Sequence, residues 1–148
     1  MLIPPGAWLM LALALLVLAM LAHTRIGRYI FAVGSNEQTA RLSGIVVERV
    51  KTIVYALGGA FAGLSGLMLM SYQEQGDPTA AVGLELDIIA AVVIGGGSLS
   101  GGEGSIVGSL IGAMIMTVIR TGCQLNGWPP WVTQVVTGIV IVIAVAVD

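Results

Sequence analysis

Apolar positions along this chain fall into long uncharged runs, not into the two-residue alternation of a membrane barrel strand. About 20 residues of helix cross the hydrocarbon core of a bilayer, and the runs predict four membrane elements. The first covers about residues 6–22 and is preceded by Pro4-Pro5, which suit a helix start. The second covers about 52–72. The third covers about 86–119 and is broken at 95–104 by Gly95-Gly96-Gly97-Ser98-Leu99-Ser100-Gly101-Gly102-Glu103-Gly104. The fourth covers 131–147. The fold class is all-α: a polytopic membrane helix bundle of about four membrane elements, one of them glycine-interrupted or re-entrant.

One long polar stretch, residues 23–51, separates the first two runs. It holds Arg25, Arg28, Arg41, Arg49 and Lys51, five of the chain's 6 basic residues. Positive charge collects in cytoplasmic loops, so this stretch is expected inside and the first helix is expected to be retained with its N-terminus outside. A secretory signal would carry its basic residues before the apolar core; here they follow it. Residues 73–85 are then outside, in agreement with Glu74, Asp77, Glu85 and Asp87 and the lack of a basic residue there. The turn Asn126-Gly127-Trp128-Pro129-Pro130-Trp131 is outside too, with Trp128 and Trp131 at the interface level that indoles favour. Arg120 departs from the charge rule and is expected to reach water near the outer interface. The glycine break either turns back in mid-membrane or lies at the cytoplasmic face. Irregular backbone at membrane depth needs protein or water around it, so the break should not face lipid.

Composition sharpens the class and excludes others. The 148 residues are 57% hydrophobic and 9% charged, whereas a soluble domain carries roughly a quarter charged residues. No basic, aromatic-laced patch suggests nucleic acid. The lone Cys123 excludes an internal disulfide or a thiolate metal cluster and reads as a small packed residue. His23 is solitary at a helix end, an interfacial residue by position. No metal-spaced set of His and carboxylates is present.

Small residues form stripes. Gly104, Gly108 and Gly112 repeat at four-residue spacing after the break, and Gly59 and Gly63, with Ala56 and Gly66, do so in the second helix. Helices in lipid associate through such close backbone approach. With Gly95, Gly96, Gly101 and Gly102 these positions are candidates for packing and gating. Thr133, Gln134 and Thr137 put polar groups on one side of the last helix, either as interhelical hydrogen bonds or as lining for a polar solute.

Two short motifs mislead. Leu99-Ser100-Gly101-Gly102-Glu103 looks like the signature loop of ABC-type ATPases, but the chain has no phosphate loop and no lysine near these glycines. Gly63-Leu64-Ser65-Gly66 matches the serine motif of rhomboid-type intramembrane proteases. Its serine would need a histidine at the same depth, and His23 lies on the other side of the second helix's start.

Residues 27–45, including Gly34-Ser35-Asn36-Glu37-Gln38-Thr39-Ala40-Arg41-Leu42-Ser43-Gly44-Ile45, resemble the cytoplasmic loop of ribose-type sugar ABC transporter permeases. Residues 83–96, with Gly83-Leu84-Glu85-Leu86-Asp87-Ile88-Ile89-Ala90-Ala91, are similar to that family's most recognisable stretch. The Ser98-Leu99-x-Gly101-Gly102-x-Gly104-Ser105 pattern and the run 141–148 continue the likeness. Members are about twice as long, so the chain resembles the C-terminal half of one. The resemblance implies a permease subunit that is not itself an enzyme and holds no cofactor. It implies a second permease subunit, a periplasmic sugar-binding protein and cytoplasmic ATPase subunits as partners, in a bacterial inner membrane.

On that reading residues 23–51 are a cytoplasmic coupling loop, with Gly34, Asn36, Glu37, Ala40, Arg41, Leu42, Gly44 and Ile45 as its contact with the ATPase. Ser35 or Asn36 can cap a short helix and Glu37 suits its first turn. Ala40, Leu42 and Ile45 offer apolar contacts, and Gly44 ends the helix or admits a partner. Two other classes stay open. An ion-coupled transporter or channel would need an intramembrane charge, for which Glu103 is the candidate. An assembly subunit would need only the packing stripes.

Overall fold

The computed structural model describes residues 5–74, 76 and 81–147; Pro4, Asp77 and Asp148 lie outside them. Seven α-helices and no strand occur among the described residues. The helices are α1 Pro5–His23, α2 Arg25–Ser35, α3 Glu37–Leu42, α4 Val47–Gln73, α5 Leu84–Ile94, α6 Ile106–Leu125 and α7 Pro130–Val147. Among the described residues, three stretches are long and apolar enough to cross a membrane: Gly6–His23, Val47–Gln73 and Ile106–Leu125. α7 is apolar but shorter by that measure. The chain divides into two compact units, Met1–Pro78 and Thr79–Asp148.

In the first unit the polar stretch is helical almost throughout, where the sequence suggested a loop with one short helix. Thr24 makes the elbow between α1 and α2. Its hydroxyl donates to the Met20 carbonyl at 2.6 Å and accepts from the Gly27 N–H at 3.2 Å. Gly27 is buried because a Cβ there would strike the Leu21 backbone. Asn36 then ends one helix and begins the next: its N–H donates to the Ala32 carbonyl, and its side-chain Oδ1 caps α3 at the Thr39 N–H, 2.9 Å away.

α4 starts at Val47, five residues before the expected membrane edge at about 52. Its 27 residues give about 40 Å, more than the roughly 30 Å hydrocarbon core. The helix is thus longer than the hydrocarbon core alone requires, and Glu48, Arg49 and Lys51 lie within its first turns. Val47 and Val50 are buried one turn apart at its foot.

In the second unit α5 and α6 form an antiparallel hairpin around the glycine break. A Cβ on Gly112 would land on the Ala91 carbonyl, and one on Gly108 on Gly95. Ala90, Ala91 and Met116 form the core, with Ile94, Ile119, Val140 and Ile141 packed on it. α5 closes on Gly96 at φ +80, with the Gly96 N–H on the Val93 carbonyl and the Gly97 N–H on the Val92 carbonyl. Those paired bonds are the Schellman closure that favours glycine at the left-handed position. The break continues as a tight turn in which the Ser98 N–H donates to the Glu103 carbonyl and Gly101 and Gly102 take positive φ. Ser105 caps α6.

α6 runs to Leu125, six residues past the expected end at about 119. Gly127 closes it in the same way as Gly96, and Pro130 opens α7.

Candidate functional site

Two constellations gather the residues singled out from the sequence. The first is α3 and its seat on α4. Arg41 Nη2 lies 3.1 Å from Glu37 Oε1 and 2.6 Å from Glu48 Oε1, and Lys51 Nζ lies 2.6 Å from Glu37 Oε2. These four side chains alternate in sign and tie α3 to the first turns of α4. The hydrogen bond from Lys51, then that from Arg41, holds the Glu37 carboxyl below the ordinary carboxylate range. Hydrogen bonds to Glu37, then Glu48, raise Arg41 in turn.

The end of α3 is fixed as firmly as its start. Gly44 sits at φ +81; its N–H donates to the Arg41 carbonyl, and the Ile45 N–H donates to the Ala40 carbonyl. Ala40 differs from its expected role: it is only 3% exposed, so it seats the short helix within its own unit and offers no contact surface. Leu42 is the opposite case, 90% exposed on the last turn. Gly34 and Gly44 are exposed and Ile45 half-buried. Arg25, Arg28 and Arg49 are in no ion pair among the described residues.

The second constellation is a cleft of about 200 Å³ where the start of α5, the end of α6 and the start of α7 meet. Asp87, Arg120, Gln124, Thr133, Gln134 and Thr137 supply its polar wall, and Trp128 lies at it too. Arg120 Nη1 is 3.0 Å from Asp87 Oδ2, and the Thr137 hydroxyl donates to Asp87 Oδ1 at 3.2 Å. Thr137 is buried while Gln134 is exposed and Thr133 half-buried. The three polar residues proposed from the last helix therefore do share one cleft, but Thr137 is engaged with Asp87.

Two expectations change here. Arg120 keeps a 43% exposed side chain and is in addition partnered by a carboxylate on the neighbouring helix. Glu103 is not the single acidic candidate near the membrane, because Asp87 lies among helices while Glu103 is exposed in the glycine turn. Sequence spacing could not reveal a pair 33 residues apart; the only signal was a lone Arg inside an apolar helix.

Of the glycine stripes, Gly108 and Gly112 meet α5 at Gly95 and Ala91, and Gly104 sits with its Cβ direction 3.7 Å from Gly97 Cα. A Cβ on Gly59 or Gly63 meets nothing within 4 Å. Cys123 is buried in packing, and His23 is exposed at the end of α1.

Residues 3–145 match the family described as branched-chain amino acid transport system / permease component. The chain is 47% identical over 146 residues to the ribose import permease protein of Escherichia coli K12, covering 99% of this chain and 46% of that protein. The ribose import permease protein of Bacillus subtilis is 48% identical over 139 residues, 93% of this chain and 43% of the relative. The xylose transport system permease protein of Escherichia coli K12 is 41% identical over 146 residues, covering 99% and 37%. The chain thus spans less than half the length of these relatives. No solved structure matches it significantly. With apolar crossing helices and near-complete coverage of its own length, the chain belongs to the branched-chain amino acid transport system / permease component family, as a multi-pass protein of the bacterial inner membrane.

Proposed function

We propose that this chain forms part of the membrane path of an ATP-driven importer of monosaccharides and couples it to a separate ATPase. The observation that carries the proposal is α3, a six-residue helix capped by Asn36, closed by Gly44 and braced by four alternating charges, with Leu42 almost fully exposed. A short, rigid, apolar-tipped projection beside two membrane helices suits a groove on a cytoplasmic partner that moves with nucleotide. ATP is bound and hydrolysed by that partner. A second permease subunit completes the path, and a periplasmic binding protein delivers the solute.

The sugar assignment rests on the relatives named for ribose and xylose, not on the family's description, which names branched-chain amino acids. The cleft agrees with it. Asp87 and Arg120 neutralise each other, while the Gln124, Thr133 and Gln134 side chains have no hydrogen-bond partner among the described residues. Such a lining offers donors and acceptors without net charge, as a neutral polyhydroxylated solute requires. The same pairing counts against an ion-coupled transporter, because it leaves the carboxylate already matched.

Four membrane elements fit the helices, with α1, α4 and α7 as three and the α5–α6 hairpin as the fourth. Facing Gly95 with Gly108 supports a glycine turn at the level where α6 begins. The decisive experiment is uptake of labelled D-ribose and D-xylose by cells expressing the transporter that contains this chain. Replacing Leu42 with Asp should abolish uptake and co-purification of the ATPase while membrane insertion persists. Uptake at the unaltered rate would overturn the coupling role.

A further inference from the structure

Beyond the coupling helix, the same unit carries a second surface of different chemistry. Ile26 and Tyr29 of α2, the turn 44–46, and Arg49, Val50 and Ile53 of α4 line an open groove of about 270 Å³. Its walls are mostly hydrocarbon, and Ile26, Tyr29, Val46 and Ile53 are each more than a third exposed.

We propose that this groove is a binding site for one anionic phospholipid, its phosphate held at Arg49 and its acyl chain laid along Ile26, Val50 and Ile53. The argument is one of charge and apolar area together. Arg41 and Lys51 are neutralised by Glu37 and Glu48, so their charge is spent within the unit. Arg25, Arg28 and Arg49 are left unpaired among the described residues. Arg49 lines the groove itself, and Arg25 and Arg28 are on α2 directly before Ile26 and Tyr29. One unmatched cation in an exposed apolar trough, with two more on the helix that forms its wall, asks for a ligand that brings both a negative head and a hydrocarbon tail. Arg49 can bond a phosphate through two N–H groups. The Tyr29 hydroxyl, which also has no partner among the described residues, can supply another donor. Ile53 lies further along α4 towards its apolar centre, so the trough runs from the polar turn in the direction that an acyl chain must take. A protein partner docking here would instead have to bury the unpaired Arg49.

The test is native mass spectrometry of the chain, purified in neutral detergent, titrated with dioleoyl phosphatidylglycerol or dioleoyl phosphatidylcholine. Phosphatidylglycerol should give a preferred first adduct. Each basic residue near an anionic lipid changes affinity by about fivefold. Replacing Arg49 with Gln should therefore lower that preference by about fivefold, whereas replacing it with Lys, which keeps the charge, should lower it less. Tyr29→Phe, which keeps every charge, should weaken the same adduct if Arg49→Gln proves unable to insert. Added inorganic phosphate should not displace the lipid, because it lacks the chain that fills the trough. Equal adducts from the two lipids, an unchanged preference in Arg49→Gln, or displacement by phosphate would overturn the proposal. So would loss of ATPase co-purification in Arg49→Gln with lipid binding intact, which would give the groove to the protein partner.

Discussion

Glycine in this chain does different work at different positions, and the difference can be measured. At Gly112 a methyl group would meet the Ala91 carbonyl, a backbone atom that cannot swing aside. Gly112→Leu should therefore lower the chain's thermal midpoint in detergent, at a cost of about 1–3 kcal/mol for overpacking. At Gly63 the same direction is open. Gly63→Ala should leave that midpoint unchanged or raise it, since Ala gains roughly 0.5–1 kcal/mol over Gly in a helix. A fall would mean that another surface covers this stripe. Gly44 belongs to neither group: its φ of +81 is the constraint, and a branched residue there costs about 1–2 kcal/mol. Glu37 offers a second residue-scale test. Its carboxyl titrates below the ordinary range when Lys51 and Arg41 bond it. A depressed folded-state pKa means that the stabilisation is complete above the ordinary carboxylate pKa and is lost as pH falls through the folded value. Hydrogen exchange at the Thr39, Gly44 and Ile45 amides, corrected for intrinsic rates, should thus accelerate as the medium is acidified through that window. In Glu37→Gln it should be faster already at neutral pH and keep only the part of the dependence that Glu48 supplies through Arg41.

Whole helices show why some of this was legible from the sequence and some was not. The uncharged runs gave the positions of α1, α4, α6 and α7, because a lipid core leaves its mark directly in composition. Asn36 and Gly44 were readable for another reason: caps are local, decided within a few residues of chain. The helices run past the expected membrane edges, because a charge limits a lipid-embedded segment and not a helix. Val47 begins α4 ahead of Glu48, Arg49 and Lys51, which serve its foot, and Leu125 ends α6 beyond Arg120, which Asp87 matches from α5. Ala40 misled for a related reason, since its burial depends on tertiary packing that its own spacing cannot reveal. The Asp87–Arg120 contact is a property of three helix ends together, and it is tested as such. Asp87→Asn and Arg120→Met should each destabilise the α5–α6–α7 unit, and the double variant should lose less than their sum. A coupling energy of roughly 1 kcal/mol is expected for contacting charges, read from thermal midpoints. Strict additivity would show that the pair does not brace the cleft.

For the molecule as a whole, the side of the membrane is a prediction that each unit makes by itself. In the first, α1 ends and α4 begins at the same polar segment, and the five of the 6 basic residues that it holds make the cytoplasm its expected side. In the second, Ser105 and Asn126 cap opposite ends of α6, about 30 Å apart for 20 residues. α5 is shorter, about 17 Å for its 11 residues, yet its last glycine already faces Gly108 near the start of α6. If the glycine turn is at the inner face, α5 must therefore begin below the outer surface, and the cleft at Asp87 becomes a recess open to the outside. Two single cysteines, in a Cys123→Ala background, decide this. Ser43→Cys, in the turn after α3, should react with an impermeant maleimide only in inside-out vesicles. Gln134→Cys, on the exposed wall of the cleft, should react in intact cells, and D-ribose should slow that reaction if the recess is part of the path. Labelling of Ser43→Cys from outside would invert the first unit and rule out the proposed contact of α3 with a cytoplasmic ATPase.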